Sequence, residues 1–474
     1  MNSTIARDPT PAGGRSRSPR AALAAAAAAV AVLLAALALG ASCQPKGRRA
    51  RDDRLVLLFA GNNDGVLAAC GCPGNPSGGF GKRQGLIEQY RQTRPNVLVV
   101  DAGNLMPSMG HGVKARFLAQ AAGRAGYDAV ALGVAEFLLG VDFLHDLQRK
   151  NDLPFLCANV RDARGELVAA PHVVRRAGGR TVGIFAVIGN WVYGFPPMEW
   201  RKGLQVEDPV AAARREAQAL ASCDLVVAVS HQPLEATRRL AAEVPGLHIV
   251  IAGHEPAVLA APEKIGEALL VCANQTGSHL GALALSWAPD GRLQADLDVT
   301  FLTDRLPTAP WVEELYWAYV REAREEVPPA RDTAVPARFE TAEACAECHK
   351  RQYKQWLTTG HAHAYEVIEK AHREEDPECL LCHTMGFGRT GGFTSMRRTP
   401  GLGRVTCQAC HIVTSDHKKM GVKPEPQVAI SSRLCMSCHG TVQSPKFDYY
   451  VYKPKILHRA AGSAPAGPAA EPGP

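Results

Sequence analysis

Four copies of one motif crowd the C-terminal part of the chain and constrain it more than any other feature. They are Cys345-Ala-Glu-Cys348-His349, Cys379-Leu-Leu-Cys382-His383, Cys407-Gln-Ala-Cys410-His411 and Cys435-Met-Ser-Cys438-His439. C-x-x-C-H is the attachment site of a c-type haem. The two thiols add to the two vinyl groups and the adjacent His supplies the proximal iron ligand, so covalent geometry sets the spacing. A lone copy also reads as a zinc knuckle or a redox disulfide. Four copies, every one ending in His, point to four c-type haems.

The residues around these motifs are too polar to build a core unaided. Between Thr341 and Lys455 the chain runs through Lys350-Arg-Gln-Tyr-Lys-Gln355, His372-Arg-Glu-Glu-Asp376 and Asp416-His-Lys-Lys419. A packed domain needs more apolar surface than this. Haem supplies it as a large flat apolar body tied to the chain at two points, and haems packed so densely should pass electrons to one another. Their sixth ligands have five His candidates, His361, His363, His372, His417 and His458. Met385, Met396, Met420 and Met436 are the alternatives. Met raises a haem potential, whereas two His ligands usually lower it.

The same segment resembles a known family. The first motif is followed by Trp356-Leu-Thr-Thr359-Gly-His361-Ala-His363-Ala364, then by Cys379-Leu-x-Cys382-His383-Thr384-x-Gly386, Gly392-Phe393, Val405-x-Cys407-x-x-Cys410-His411 and Asp416-His417. This pattern is similar to the tetrahaem cytochrome c family typified by the electron acceptor of hydroxylamine oxidoreductase, over roughly Phe339 to His458. The resemblance implies a mainly α, loop-rich multihaem domain. It carries distal-ligand roles to His361 and His417, and His458 fits a third. It also implies that one haem can be left five-coordinate.

At the other end, Met1–Arg20 is polar and carries Arg7, Arg15, Arg17 and Arg20, and an uncharged apolar run follows from Ala21 to Leu39. This is the pattern of an export signal. Small residues before Cys43 resemble a lipoprotein signal, although Gly40 stands where Leu is usual. Lipid on Cys43 is the expected anchor, and an uncleaved helix is the alternative. Bacterial c-type haem is attached outside the cytoplasmic membrane, so the leader and the motifs agree on an extracytoplasmic, membrane-attached protein. The net charge of +7 is modest and lies partly in the leader, so nucleic acid is not an expected partner. Redox proteins are.

The 474 residues, with 46% hydrophobic and 21% charged content, allow two or three globular domains. We divide them into a leader (1–43), a linker (44–53), a middle domain (54–304), a helical connector (305–338), the haem segment (339–459) and an Ala/Gly/Pro-rich tail (460–474). The middle domain alternates apolar runs with helical patterns. The runs are Leu55–Phe59, Asn96–Val100, Ala129–Leu132, Thr181–Phe185, Leu225–Val229 and His248–Ala252. Continuous apolar runs suit strands buried on both faces, and sites in such folds sit at strand ends. The expected architecture is an α/β sandwich.

Those strand ends carry Gly61-Asn62-Asn63-Asp64-Gly65, Gly79-Phe-Gly81-Lys-Arg83, Asp101-Ala-Gly-Asn104, Gly133-Val134-Ala135-Glu136, Ala158-Asn159, Ser230-His231 and Gly253-His254. In this order they are similar to the 5'-nucleotidase-like metallophosphoesterases. That family holds two metal ions with an Asp-x-His, a Gly-Asp, an Asn-His-Glu, a lone His and a Gly-His-x-His. Here these read Asn62 and Asp64, Gly103-Asn104, Val134-Ala135-Glu136, His231 and His254-Glu255-Pro256. Two-metal hydrolysis needs a bridging carboxylate and a full ligand set, so the resemblance carries the fold and not the activity. Asp64, Asn104, His231 and His254 are candidates for one residual metal ion, and relic strand-end residues are the plainer reading. Cys70-Gly-Cys72, in the loop after the first strand, adds two thiols for a soft metal, a redox role or a local disulfide. Cys157, Cys223 and Cys272, in or beside apolar runs, read as buried thiols. The expected function is electron transfer, with the middle domain serving for docking or sensing. The rivals are a haem-based reductase of small nitrogen or sulfur compounds and a hydrolase with a rebuilt metal site.

Overall fold

The apolar runs form the strands of two stacked six-stranded sheets. In this computed structural model residues 54–69, 78–107, 111–189, 203–274, 277–326, 339–411, 417, 430–440, 444 and 446–458 are described. Cys43, Cys70, Cys72, Met420 and the Ala21–Leu39 run lie outside them. In the first sheet Leu55–Ala60, Val97–Asp101, Ala129–Ala131 and Phe155–Leu156 run parallel, and the hairpin His279–Trp287/Leu293–Phe301 adds antiparallel to Leu55–Ala60. In the second, Arg180–Ile188, Leu225–His231, Ile249–Ala252 and Ala268–Val271 run parallel between antiparallel edges His172–Ala177 and Glu263–Ile265.

Strand periodicity divides the side chains between layers. Leu55, Leu57 and Phe59 meet Val182, Ile184, Val227, Val229, Ile249 and Ile251 in the core between the sheets. Val56, Leu58 and Ala60 face the other way, against helices Phe80–Thr93, Gly112–Ala125 and Val141–Asn151. Helices Pro209–Ala219 and Leu234–Glu243 cover the far face of the second sheet. Each buried Leu, Ile or Val contributes ~1.5–3 kcal/mol of apolar burial, which holds the four layers together. Local signals punctuate them. The Asp208 side chain accepts from Ala211 N ahead of Pro209, and left-handed Gly126 ends Gly112–Ala125.

The stretch that reads as a connector is part of this sandwich. Helix Pro310–Glu326 buries Val312, Tyr316, Tyr319, Val320 and Ala323 in the same cluster as Phe117 and Leu118. Its stripe of apolar residues needs a partner surface, and the first helical layer provides one. The haem-motif segment then folds as short helices: Ala342–Ala346, Lys350–Trp356, Ala364–Lys370, Pro377–His383, Ser432–Met436 and Tyr449–Ile456. Its own apolar clusters are small. One holds Ile368, Leu380, Met385, Phe393 and Leu402, and the other Ala342, Trp356 and Ala362. The described residues from Arg54 onward belong to one compact unit.

Candidate functional site

Each C-x-x-C-H motif sits on about one helical turn, so its thiols and imidazole share one local frame. His349 N donates to Cys345 O, His411 N to Cys407 O and His439 N to Cys435 O, each at 2.9 Å, and the second motif ends helix Pro377–His383. Three motif imidazoles face a second imidazole from elsewhere in the segment. The ring centres are 6.1 Å apart for His349 and His417, 6.2 Å for His439 and His361, and 6.0 Å for His411 and His458. His383 has no partner ring among the described residues; its Nδ1 bonds Ala364 O at 2.6 Å.

The ring nitrogens that are engaged show which imidazoles can do more. His439 Nδ1 meets Ser444 Oγ at 3.1 Å and His458 Nδ1 meets Gln355 Oε1 at 2.6 Å, which leaves Nε2 of each for another partner. His363 spends both nitrogens, on Glu366 Oε1 and Leu357 O, and is exposed. His372 is exposed in a left-handed turn with φ 53°. Neither is set against a motif His. Burial lowers the pKa of His361, His411, His439 and His458, which keeps these imidazoles in the neutral form that binds metal. The thiols come together too. The Cys345 and Cys407 thiols lie near each other, as do those of Cys382 and Cys438, and Cys410 lies within electrostatic reach of Cys435 and Cys438.

In the middle domain the family-type loops converge at one edge, beyond the C-terminal ends of the parallel strands. His231 and His254 meet with Nε2 and Nδ1 3.4 Å apart, and His231 Nδ1 bonds Ala102 O at 3.0 Å. Gly103, at φ 100°, lets this happen, since a Cβ there would stand 2.7 Å from His231 Nδ1. Burial, and then His254, pushes His231 down to about 3. Asp64 is pushed up to about 6 by burial and by Glu136.

Asn104, Asn62 and Glu136 are engaged inside the protein. Asn104 Nδ2 donates to Asn62 Oδ1 at 3.2 Å and its Oδ1 accepts from Ala135 N at 3.0 Å. Asn62 Nδ2 donates to His254 O at 2.5 Å. The Glu136 carboxylate accepts from the main-chain N–H groups of Asn104, Leu105, Met106 and Gly133. Asn62, Asp64 and Asn104 keep left-handed backbones, at φ 48°, 48° and 56°, the contorted loop geometry of a built site. Yet among the described residues no group of three or more His, Cys, Asp or Glu side chains could hold a metal ion. Of the expected residual set, His231 and His254 meet and Asn104 bonds Asn62, while Cys70 and Cys72 lie outside the described residues. Cys157 is buried, with its thiol pushed up to about 12 by burial; Cys272 is buried and Cys223 only partly so.

Residues 344–412 match the family described as cytochrome c554 and c-prime. Cytochrome c-554 of Nitrosomonas europaea is 34% identical over 107 residues, 19% of this chain and 46% of that protein. The rat 5'-nucleotidase is 33% identical over 193 residues, 37% of this chain and 32% of that enzyme. The chain thus spans less than half the length of either relative. The 5'-nucleotidase precursor of Thermus thermophilus superposes with a TM-score of 0.50 at 22% identity, over 64% of this chain and 66% of that one. The chain has the α/β sandwich fold of the metallophosphoesterases, followed by a helical segment that matches the cytochrome c554 and c-prime family over residues 344–412.

The cytochrome match implies covalently bound haem, and the residues present fit it. Two imidazoles that each place a nitrogen ~2 Å from one metal ion have ring centres about 6 Å apart, and the three His pairs have that spacing. The small apolar clusters fit as well, because a segment with so little core of its own needs a bound apolar body. Sequence reasoning missed the residues that orient the imidazoles, Ser444, Gln355 and Ala364. It also missed the polar contacts of Lys114 and Tyr316 with Glu378 and Asp376. Asp376-Pro377, a helix-start signal, was the one local clue to the last pair.

Proposed function

We propose that this protein is an exported electron-transfer protein with four covalent c-type haems, attached to the outer side of the cytoplasmic membrane through lipid on Cys43. The three His pairs near 6 Å carry this reading. His349 with His417, His439 with His361, and His411 with His458 would each hold one haem iron. His383 would hold the fourth, its Nδ1 being engaged by Ala364 O and its Nε2 left for the metal. Such iron takes up and releases one electron at a time. The chain's part is to fix ligand identity and keep water out, which sets the potentials. The thiol contacts support a relay order of first, third, fourth and second motif: Cys345 meets Cys407, Cys410 nears Cys435 and Cys438, and Cys438 meets Cys382.

The middle domain is retained for its shape, as a docking or sensing module, rather than for hydrolysis. Asn62 and Asn104 supply no negative charge to hold two cations, and Ala135 cannot pass a proton to a leaving group. A second reading, a reductase of small nitrogen or sulfur compounds, draws on the lone imidazole of His383. Intact mass and quantitative electron paramagnetic resonance of the oxidised protein test the main reading. Four haem masses and a low-spin to high-spin ratio of three to one are expected. Fewer haems, or zinc bound to the motif thiols, would end it.

A further inference from the structure

The polar contacts that helices Gly112–Ala125 and Pro310–Glu326 make with the haem segment fall on one short run, Arg373–Glu378, directly before Cys379. Lys114 Nζ meets Glu378 Oε2 at 2.6 Å, with only 11% of the lysine side chain exposed. The Tyr316 hydroxyl donates to Asp376 Oδ2 at 2.5 Å, while Asp376 Oδ1 accepts from Glu378 N at 2.9 Å and caps the helix that carries the second motif. Arg373 lies over the Tyr316 ring at 4.1 Å and bonds Glu313 at 3.3 Å. Arg324 pairs with Glu375 at 3.8 Å. The Tyr316 and Tyr319 hydroxyls lie within electrostatic reach of the Cys379 thiol. One motif of the four is therefore bolted to the α/β sandwich, and it is the one whose His has no partner ring among the described residues.

We propose that Lys114 of the phosphoesterase-like domain, by neutralising Glu378, keeps that carboxylate from lowering the reduction potential of the haem carried by Cys379, Cys382 and His383. This rests on the reading that a haem is bound there. Lysine is almost never buried without a partner. This one comes from the sandwich and ends on the carboxylate adjoining a haem-bearing cysteine. The lysine side chain is shielded while that of Glu378 is 37% exposed, so salt screens the pair less than a fully exposed surface pair. Reduction adds one electron to the iron, so a nearby cation favours the reduced state and a nearby carboxylate opposes it. While paired, the two largely cancel. Removing either exposes the field of the other, which at about 10 Å and an effective dielectric constant near 20 changes the reduction equilibrium by roughly tenfold or more. Tenfold is ~59 mV for a one-electron couple.

Spectroscopic redox titration of the full holoprotein, with dithionite as electron donor and ferricyanide as acceptor, tests this by sign. Lys114→Gln should lower one of the four potentials by about 60 mV, and Glu378→Gln should raise the same one by a like amount. The double variant and Lys114→Arg should both return it toward the wild-type value. Arg116→Gln, which removes ion pairs to Glu322 and Glu326 on the same two helices, should move none. Loosened packing would shift both single variants the same way, so shifts of equal sign overturn the proposal. So does a titration unchanged in every variant while four haems remain. If Lys114→Gln fails to incorporate haem, Glu378→Gln and the double variant still decide. Absence of haem from the second motif in the wild-type protein, seen by peptide mass, overturns the haem reading itself and this inference with it.

Discussion

Replacing His361 by Ala should convert one haem from low to high spin and leave the fold intact. The His361 ring centre lies 6.2 Å from that of His439, and no other imidazole among the described residues is placed to take over. His363, two residues on, has both nitrogens committed to Glu366 and Leu357. His417 and His458 are engaged with His349 and His411. The main-chain role of the residue survives the change, since Val405 N donates to the His361 carbonyl at 3.1 Å and Ala keeps that acceptor. On the proposed ligand pairing, the expected starting ratio of low-spin to high-spin haem is three to one. His361→Ala should make it two to two, doubling the high-spin share. Quantitative electron paramagnetic resonance of the oxidised variant, with haem content checked by intact mass, reads this directly. An unchanged ratio with all four haems present would refute the ligand pairing. A change of equal size in His363→Ala would refute it too, because an exposed imidazole with both nitrogens bonded has no iron to serve.

Three further outcomes are expected. Burial holds the His231 imidazole at about 3, so between roughly pH 6.5 and 3 the unfolded chain binds a proton there and the folded chain does not. That residue therefore costs stability as the pH falls through this window, by up to ~1.4 kcal/mol per pH unit. The opposite contribution of Asp64, held up at about 6, is common to wild type and variant. In denaturant unfolding at pH 4 to 6, the wild type should lose ground to His231→Gln as the pH is lowered, and parallel curves would contradict the burial argument. Protein loaded with Mn or Zn should hydrolyse nucleotides at least ~10²–10⁴ more slowly than an intact phosphoesterase site allows, because Ala135 offers no acid/base group; ordinary turnover abolished by His231→Ala would make the protein a hydrolase carrying haems. Cys43→Ser should release the protein from membranes or leave it unprocessed, and unchanged fractionation and N-terminal mass would exclude lipid at Cys43.

What could be read from the sequence is what short-range chemistry determines. The haem motifs are legible because two thioethers and a proximal ligand demand five consecutive residues, and a helical turn such as Cys345–His349 presents them without help from the rest of the fold. The strands are legible because residues buried on both faces leave unbroken apolar runs, as in Leu55–Ala60 and Leu225–His231. The departures from the phosphoesterase ligand pattern could be seen in residue types alone: Asn at 62 and 104 and Ala at 135. Tertiary structure decided what depends on residues far apart in the chain. Three of the five distal candidates stand opposite a motif His, because the placing of His417 beside His349 or of His458 beside His411 depends on how short helices pack. The connector became a wall of the sandwich, because its apolar stripe finds its complement only once Gly112–Ala125 is in place. The Lys114–Glu378 contact joins residues 264 positions apart, and no local pattern encodes a bond over that distance.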